Sequence, residues 1–222
     1  MIVGERKPME EIEAMIDPFE KIIVLGCREC VTVCSVGGEK EVGILSSELR
    51  LSRKQKGRDI DILEFSLERQ CDHEYIEQIR SNVPNYEAIL SMACGAGVQF
   101  VAEAYPEIPV LPAINTTFIG VTEEQGLWTE RCQACGNCIL HLTGGICPVA
   151  RCSKSLMNGP CGGSSDGKCE VNKEVVCGWQ LIIERLKSLG QLDRYEEYIP
   201  IKDWSTSRDG GPRKVVREDL RI

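Results

Sequence analysis

No G-x-G-x-x-G segment occurs anywhere in the chain, so none of its apolar runs opens into a dinucleotide-binding turn. No apolar run approaches the roughly 20 residues that a membrane span needs, and no membrane span is expected. The start, Met1-Ile2-Val3-Gly4-Glu5-Arg6-Lys7, lacks the apolar core of a secretory signal, which places the chain in the cytoplasm as an expectation. Basic excess is missing as well: 26 Lys and Arg stand against 34 Asp and Glu, a net charge of −8. A nucleic-acid binder would carry a basic face, so no nucleic-acid partner is expected. There is no nucleophile–base pair and no paired-carboxylate pattern, which argues against independent catalysis. Histidine is scarce, with two in 222 residues. His73 reads as the surface residue of a helix and His141 as a packing residue rather than a ligand.

What the chain has instead is sulfur. It carries thirteen cysteines in 222 residues. A secreted disulfide scaffold would be shorter, would carry a signal and would favour an even count. In a reducing compartment, clustered cysteines serve metal binding or redox chemistry. A hydrophobic fraction of 42% and a charged fraction of 27% describe an ordinary globular chain around them.

The N-terminal half alternates strand and helix signals. Lys7 to Phe19 has Met9, Ile12 and Ile16 on one helical face, closed by Pro18. Lys21 to Gly26 is an apolar, β-branched run of the parallel-sheet type. A helix on Val42, Leu45 and Leu49 follows Gly37-Gly38, and the polar stretch Arg53 to Asp59 turns the chain back. Ile60 to Leu67 predicts a second strand and Asp72 an N-cap for a helix bearing Ile76 and Ile79. Ala88 to Ala93 predicts a third strand, then a helix through Val98, Val101 and Ala104, then a strand at Ile108 to Leu111. The pattern predicts an α/β fold, a small open parallel sheet of Rossmann or flavodoxin-like type. Cys27, Cys30, Cys34, Cys71 and Cys94 all fall just past the carboxyl ends of predicted strands, where open α/β sheets bind ligands. Cys27, Cys30 and Cys34 are three candidate ligands of one metal site, with Cys94 or Cys71 the fourth. A redox-active Cys-x-x-Cys at the strand–helix junction is the competing reading.

From Glu130 the composition shifts to glycine and cysteine and periodicity stops, which predicts an irregular, ferredoxin-like C-terminal module. Pro112 to Gly126 reads as the connection into it. The organisation expected is 1–120 for the α/β domain, 121–200 for the module and 201–222 for an extended tail. Eight cysteines lie between 132 and 177, the number that two Cys₄ sites require. Cys132, Cys135 and Cys138 have the C-x-x-C-x-x-C spacing of an iron–sulfur loop, and Cys147-Pro148 follows. By that analogy Cys132, Cys135 and Cys138 share a site with a distal residue such as Cys177, leaving Cys147, Cys152, Cys161 and Cys169 for the second. Four-coordinate zinc is the competitor in the second quartet. Trp179, Ile182, Ile183, Leu186 and Leu189 mark a closing helix that Gly190 stops, with Trp179 covering a cluster or packing a core.

Gly26-Cys27-x-x-Cys30-x-x-x-Cys34, Met92-Ala93-Cys94-Gly95-Ala96-Gly97, Asn158-Gly159-Pro160-Cys161-Gly162-Gly163 and Cys177-Gly178-Trp179 carry a resemblance. The chain resembles the small MetV-type iron–sulfur subunit of bacterial methylenetetrahydrofolate reductases, and the C-terminal domain fused to some of those reductases. The resemblance implies two or three 4Fe–4S clusters, with zinc reported in some members, and flavin only on the partner. The partner implied is a flavin-containing (β/α)₈-barrel subunit. It reduces 5,10-methylenetetrahydrofolate to 5-methyltetrahydrofolate in one-carbon metabolism, notably the Wood–Ljungdahl pathway, and heterodisulfide-reductase-like subunits join some assemblies. The function expected is electron transfer; the alternative is a zinc-shaped adaptor that carries no electrons.

Overall fold

The computed structural model describes residues 1–197 and 201–221. Residues 198–200, which close the expected module, and Ile222, the last of the tail, lie outside the described residues. The chain divides into two compact units, Met1–Trp128 and Thr129–Ile222.

In the first unit, β1 (Ile2–Arg6) and α1 (Met9–Ile16) lead into β2 (Lys21–Cys27). A single turn, α2 (Cys30–Val33), precedes the long α3 (Glu39–Gln55). Next come β3 (Asp61–Leu67), α4 (His73–Ile76), β4 (Ala88–Met92), α5 (Gly95–Ala104) and β5 (Val110–Pro112). The long β6 (Ile114–Glu124) ends the unit, and β7 (Leu127–Cys132) carries the chain out of it. β2, β3, β4 and β5 form a parallel sheet in the order β3-β2-β4-β5. The α/β expectation therefore holds, with each expected strand within two residues of its place.

β2 is central because everything along it after Lys21 is buried. Ile22, Ile23, Val24 and Leu25 are all fully buried, and a strand's side chains alternate between faces. Ile22 and Val24 join Ile12, Ile16, Leu45 and Leu49 in one core cluster. Ile23 and Leu25 join Ile76, Ile79, Val101 and Tyr105 in the other. Burying each such side chain contributes about 1.5–3 kcal/mol. The first parallel strand lies between the second and third, so strand order reverses between β2 and β4. Asp72 caps α4 as the sequence predicts, its carboxylate accepting from Glu74 N at 3.2 Å.

Two expectations are corrected. Pro112 to Gly126 is not a connection: it contains β6, which pairs antiparallel with β1 in a separate sheet of order β1-β6-β7. Ile114, Thr116, Thr117, Ile119, Val121 and Thr122 supply the β-branched residues that favour strand. Arg53 does not begin a turn either. α3 continues through it, and its 5% exposed guanidinium donates to Ile16 O at 2.6 Å, satisfying a carbonyl at the end of α1.

The second unit has little regular structure. α6 (Pro148–Arg151) is one turn, and α7 (Gly178–Ser188) buries Trp179, Ile182 and Leu186. Ile146, Cys152, Leu156 and Cys177 pack on that core. Leu189, expected on the buried face, is 41% exposed, because the helix ends before it. Among the described residues, no helix is long and apolar enough to cross a membrane.

Candidate functional site

The carboxyl edge of the parallel sheet collects thiols from three strand ends. Cys27 is the last residue of β2, Cys94 directly precedes α5 after β4, and Cys71 lies four residues past β3. Burial pushes the Cys27 thiol up; backbone N–H groups of Glu29 and Gln70 oppose this, while the negative charges of Cys94 and Cys71 add to it. Cys71 is likewise raised, by burial first and by Cys94 next. All three stand at the carboxyl ends of neighbouring strands of the sheet.

Cys30 and Cys34 follow Cys27 closely in the chain. Both lie on the α2 turn, and Cys34 is 4% exposed. Its thiol faces β1, with Sγ 3.6 Å from Ile2 O. Burial raises it, the Gly4 backbone N–H lowers it, and its thiol neighbour is Cys30. Cys27, Cys71 and Cys94 thus stand at three strand ends on one sheet edge, with Cys30 and Cys34 on the turn that follows Cys27. Gly37 holds the α2 loop close: a Cβ there would stand 2.1 Å from Met92 O.

In the second unit, Cys152, Cys161, Cys169 and Cys177 line one recess together with Trp179 and Pro160. The recess is shallow, with about 20 Å³ of cavity between these side chains and the rest open to solvent. Cys152 ends α6 and Cys177 begins α7, so two helix ends bring two of the sulfurs in. Backbone bonds fix Cys169 and further hold Cys177: Cys169 N donates to Val175 O at 2.9 Å, and Cys177 N to Gly167 O at 2.8 Å. Cys161 Sγ accepts from Gly163 N at 3.4 Å. The Cys169 thiol is held below its ordinary value, first by the Ser153 hydroxyl at 3.4 Å, then by the N–H groups of Val171 and Asn172. Lys154, ion-paired to Glu170, adds to the same effect. This donor set favours thiolate, the form that ligates metals. Cys177 takes the place that the sequence analogy gave to Cys147 in this quartet. Trp179 both packs the core and lines the recess, its Nε1 donating to Leu156 O at 2.8 Å.

Cys132, Cys135 and Cys138 occupy a loop in which Ala134 and Gly136 take positive φ, 50° and 84°. Ala134 N donates to Cys132 Sγ at 3.3 Å. The tail is bonded to this loop. Thr206 Oγ1 donates to Cys135 O at 3.0 Å and Lys202 Nζ at 3.4 Å, while Arg213 donates to Ala134 O. Lys202, 6% exposed, lies 4.7 Å from the Trp204 ring centroid. A side chain at Gly136 would strike Thr206, so both conformation and space require glycine there. Cys147 is half-buried at the start of α6, outside the recess lining.

His73 is exposed and packs edge-on to Phe100 at 4.5 Å, and His141 is exposed. Among the described residues, no group of three or more His, Cys, Asp or Glu stands as a ready-made metal site. The fit to a metal group rests on the four thiols sharing a recess and on the donors that favour thiolate at Cys169. Sequence reasoning missed Gln70 and Ser91, both fully buried beside the first thiol group. The one available signal was a serine interrupting the apolar run Ala88 to Met92.

Fold and thiols together define a class: an α/β protein with cysteines gathered at a sheet's switch point and again in an irregular module. Residues 111–205 match a family described as methylene-tetrahydrofolate reductase C terminal. That segment holds the eight cysteines from Cys132 to Cys177 and, from the tail, Lys202. No curated protein and no solved structure matches the chain.

Proposed function

We propose that this chain is a non-catalytic, iron–sulfur electron-transfer subunit of a methylenetetrahydrofolate reductase, partner to a flavin-containing subunit. The observation that carries the proposal is the recess lined by Cys152, Cys161, Cys169 and Cys177 inside the segment that matches the reductase family. Those four residues would hold one 4Fe–4S cluster. Cys132, Cys135, Cys138 and Cys147 remain for a second. Cys27, Cys71 and Cys94 would serve a third, with Cys30, the more exposed of the α2 thiols, as fourth ligand. Clusters so held supply one-electron transfer at potentials set by hydrogen bonds to sulfur and by burial. The chain's own part is to present the four sulfurs, to lower the Cys169 thiol's pKa through Ser153 and the backbone, and to cover one side of the recess with Trp179.

A zinc-shaped adaptor is the second reading. It is favoured by the short antiparallel bridges Ser165–Lys168 and Lys168–Val176 that flank Cys169, a compact setting suited to structural Cys₄ zinc. Anaerobic purification with metal analysis separates the two. We expect brown absorption that bleaches with dithionite and about eight to twelve irons per chain, as two or three four-iron clusters require. A colourless protein holding zinc and no iron would overturn the electron-transfer reading.

A further inference from the structure

The carboxyl edge of the parallel sheet contains a fully buried amide that no motif marks. Gln70 directly precedes Cys71 and is 0% exposed. Its Nε2 donates to Leu25 O at 2.8 Å and to Gly26 O at 3.0 Å, the two residues before Cys27. Its Oε1 accepts from Ser91 Oγ at 2.6 Å. Ser91, also 0% exposed, stands three residues before Cys94, and its Oγ accepts from Ala93 N at 3.4 Å. A Cβ at Gly97 would stand 2.9 Å from Gln70 Cβ, so the first turn of α5 rests on the same residue.

One side chain therefore bonds the chain ends that lead into Cys27, Cys71 and Cys94. The sheet ladder cannot do this. Its last rungs are Cys27–Leu67 between β2 and β3, and Gly26–Met92 between β2 and β4. Cys71 and Cys94 lie beyond those rungs, where no strand pairing fixes them. An apolar residue would fill the same space, but only directional hydrogen bonds reach past the ladder's end. We propose that Gln70, through Ser91, is the positioning residue that holds the Cys27, Cys71 and Cys94 strand ends as one unit. This rests on reading the three thiols as metal ligands, although the placement itself exists without metal.

The test uses the full chain in three forms: wild type, Gln70→Met and Ser91→Ala. Each is stripped of metal with a chelator, checked for fold by circular dichroism and treated with a short bismaleimide. Mass spectrometry then gives the Cys71–Cys94 cross-link relative to Cys161–Cys169 in the second unit. We expect Gln70→Met to lower that ratio about tenfold, since it removes three buried hydrogen bonds, and Ser91→Ala to lower it less. The same Gln70→Met chain, purified anaerobically, should lack one site's share of metal. An unchanged ratio with unchanged metal in folded Gln70→Met overturns the proposal. If that variant does not fold, an unchanged ratio in Ser91→Ala overturns it and a reduced ratio supports it. A reduced ratio in a protein whose wild type binds no metal upholds the positioning role and defeats the ligand reading alone.

Discussion

Arg53 shows how one residue can change meaning between sequence and structure. Among Ser52, Lys54 and Lys56 it reads as part of a solvated run, yet its guanidinium is buried against carbonyls of Ile16, Asp17 and Phe19. Arg53→Met keeps the stem and removes the donors, so it should destabilise the first unit by about 1–3 kcal/mol, read as a lower urea midpoint. Glu87 is the exposed counterpart. Its carboxylate accepts from Glu20 N at 2.6 Å and Lys21 N at 3.0 Å, and these backbone bonds hold it below the ordinary glutamate value. The folded value being the lower one, the associated stability is present above the unfolded value of about 4.3 and is lost as pH falls through the folded value. Glu87→Gln should therefore flatten the acid limb of a urea-midpoint profile taken from neutral pH downward. The cysteines were all visible at this scale because their identity carries their chemistry. Gln70 was not, because a glutamine gains significance only from what it touches.

Elements were legible where periodicity had one cause. The apolar run of β2 and the helical spacing of α1, α3 and α5 reflect burial alone, and they appear where the pattern predicts. β6 escaped because one of its residues, Thr116, faces a task other than burial: its hydroxyl accepts from Gly95 N at 2.8 Å, next to Cys94. A strand read as a linker thus touches the candidate site. For the α2 loop, C-x-x-C spacing is a statement about sequence neighbours, whereas the fold brings the strand ends before Cys71 and Cys94, 44 and 67 residues away (71 − 27 and 94 − 27), to the same sheet edge as Cys27. Gly37 keeps that loop against β4. Gly37→Ala should cost about 1–3 kcal/mol through overpacking against the Met92 carbonyl. Faster alkylation of the otherwise buried Cys34, beside a lowered melting temperature, is the measurement; unchanged alkylation in a destabilised protein would show that the strain is absorbed elsewhere.

For the whole molecule, each core belongs to one unit. The two clusters built on β2 contain no residue beyond Ile114, and the Trp179 cluster contains none before Ile146. A fragment of residues 1–128 should therefore melt cooperatively by circular dichroism and keep Cys34 slow to alkylate. A broad, non-cooperative melt would show that the remainder of the chain is needed for its packing. The α/β class was readable because a parallel sheet needs long stretches of buried strand and helix. The irregular module showed its cysteines and its closing helix α7 and little else, since the rest of its path follows individual glycine conformations and single hydrogen bonds rather than a repeating pattern.

The bonds from Thr206 and Lys202 to the Cys135 carbonyl join positions 71 and 67 residues apart. On a ribosome, the loop with Cys132, Cys135 and Cys138 emerges well before the residues that fasten it. For that interval the loop is without its strap, so its own backbone conformation at Ala134 and Gly136 must hold it until residues 202–206 are made.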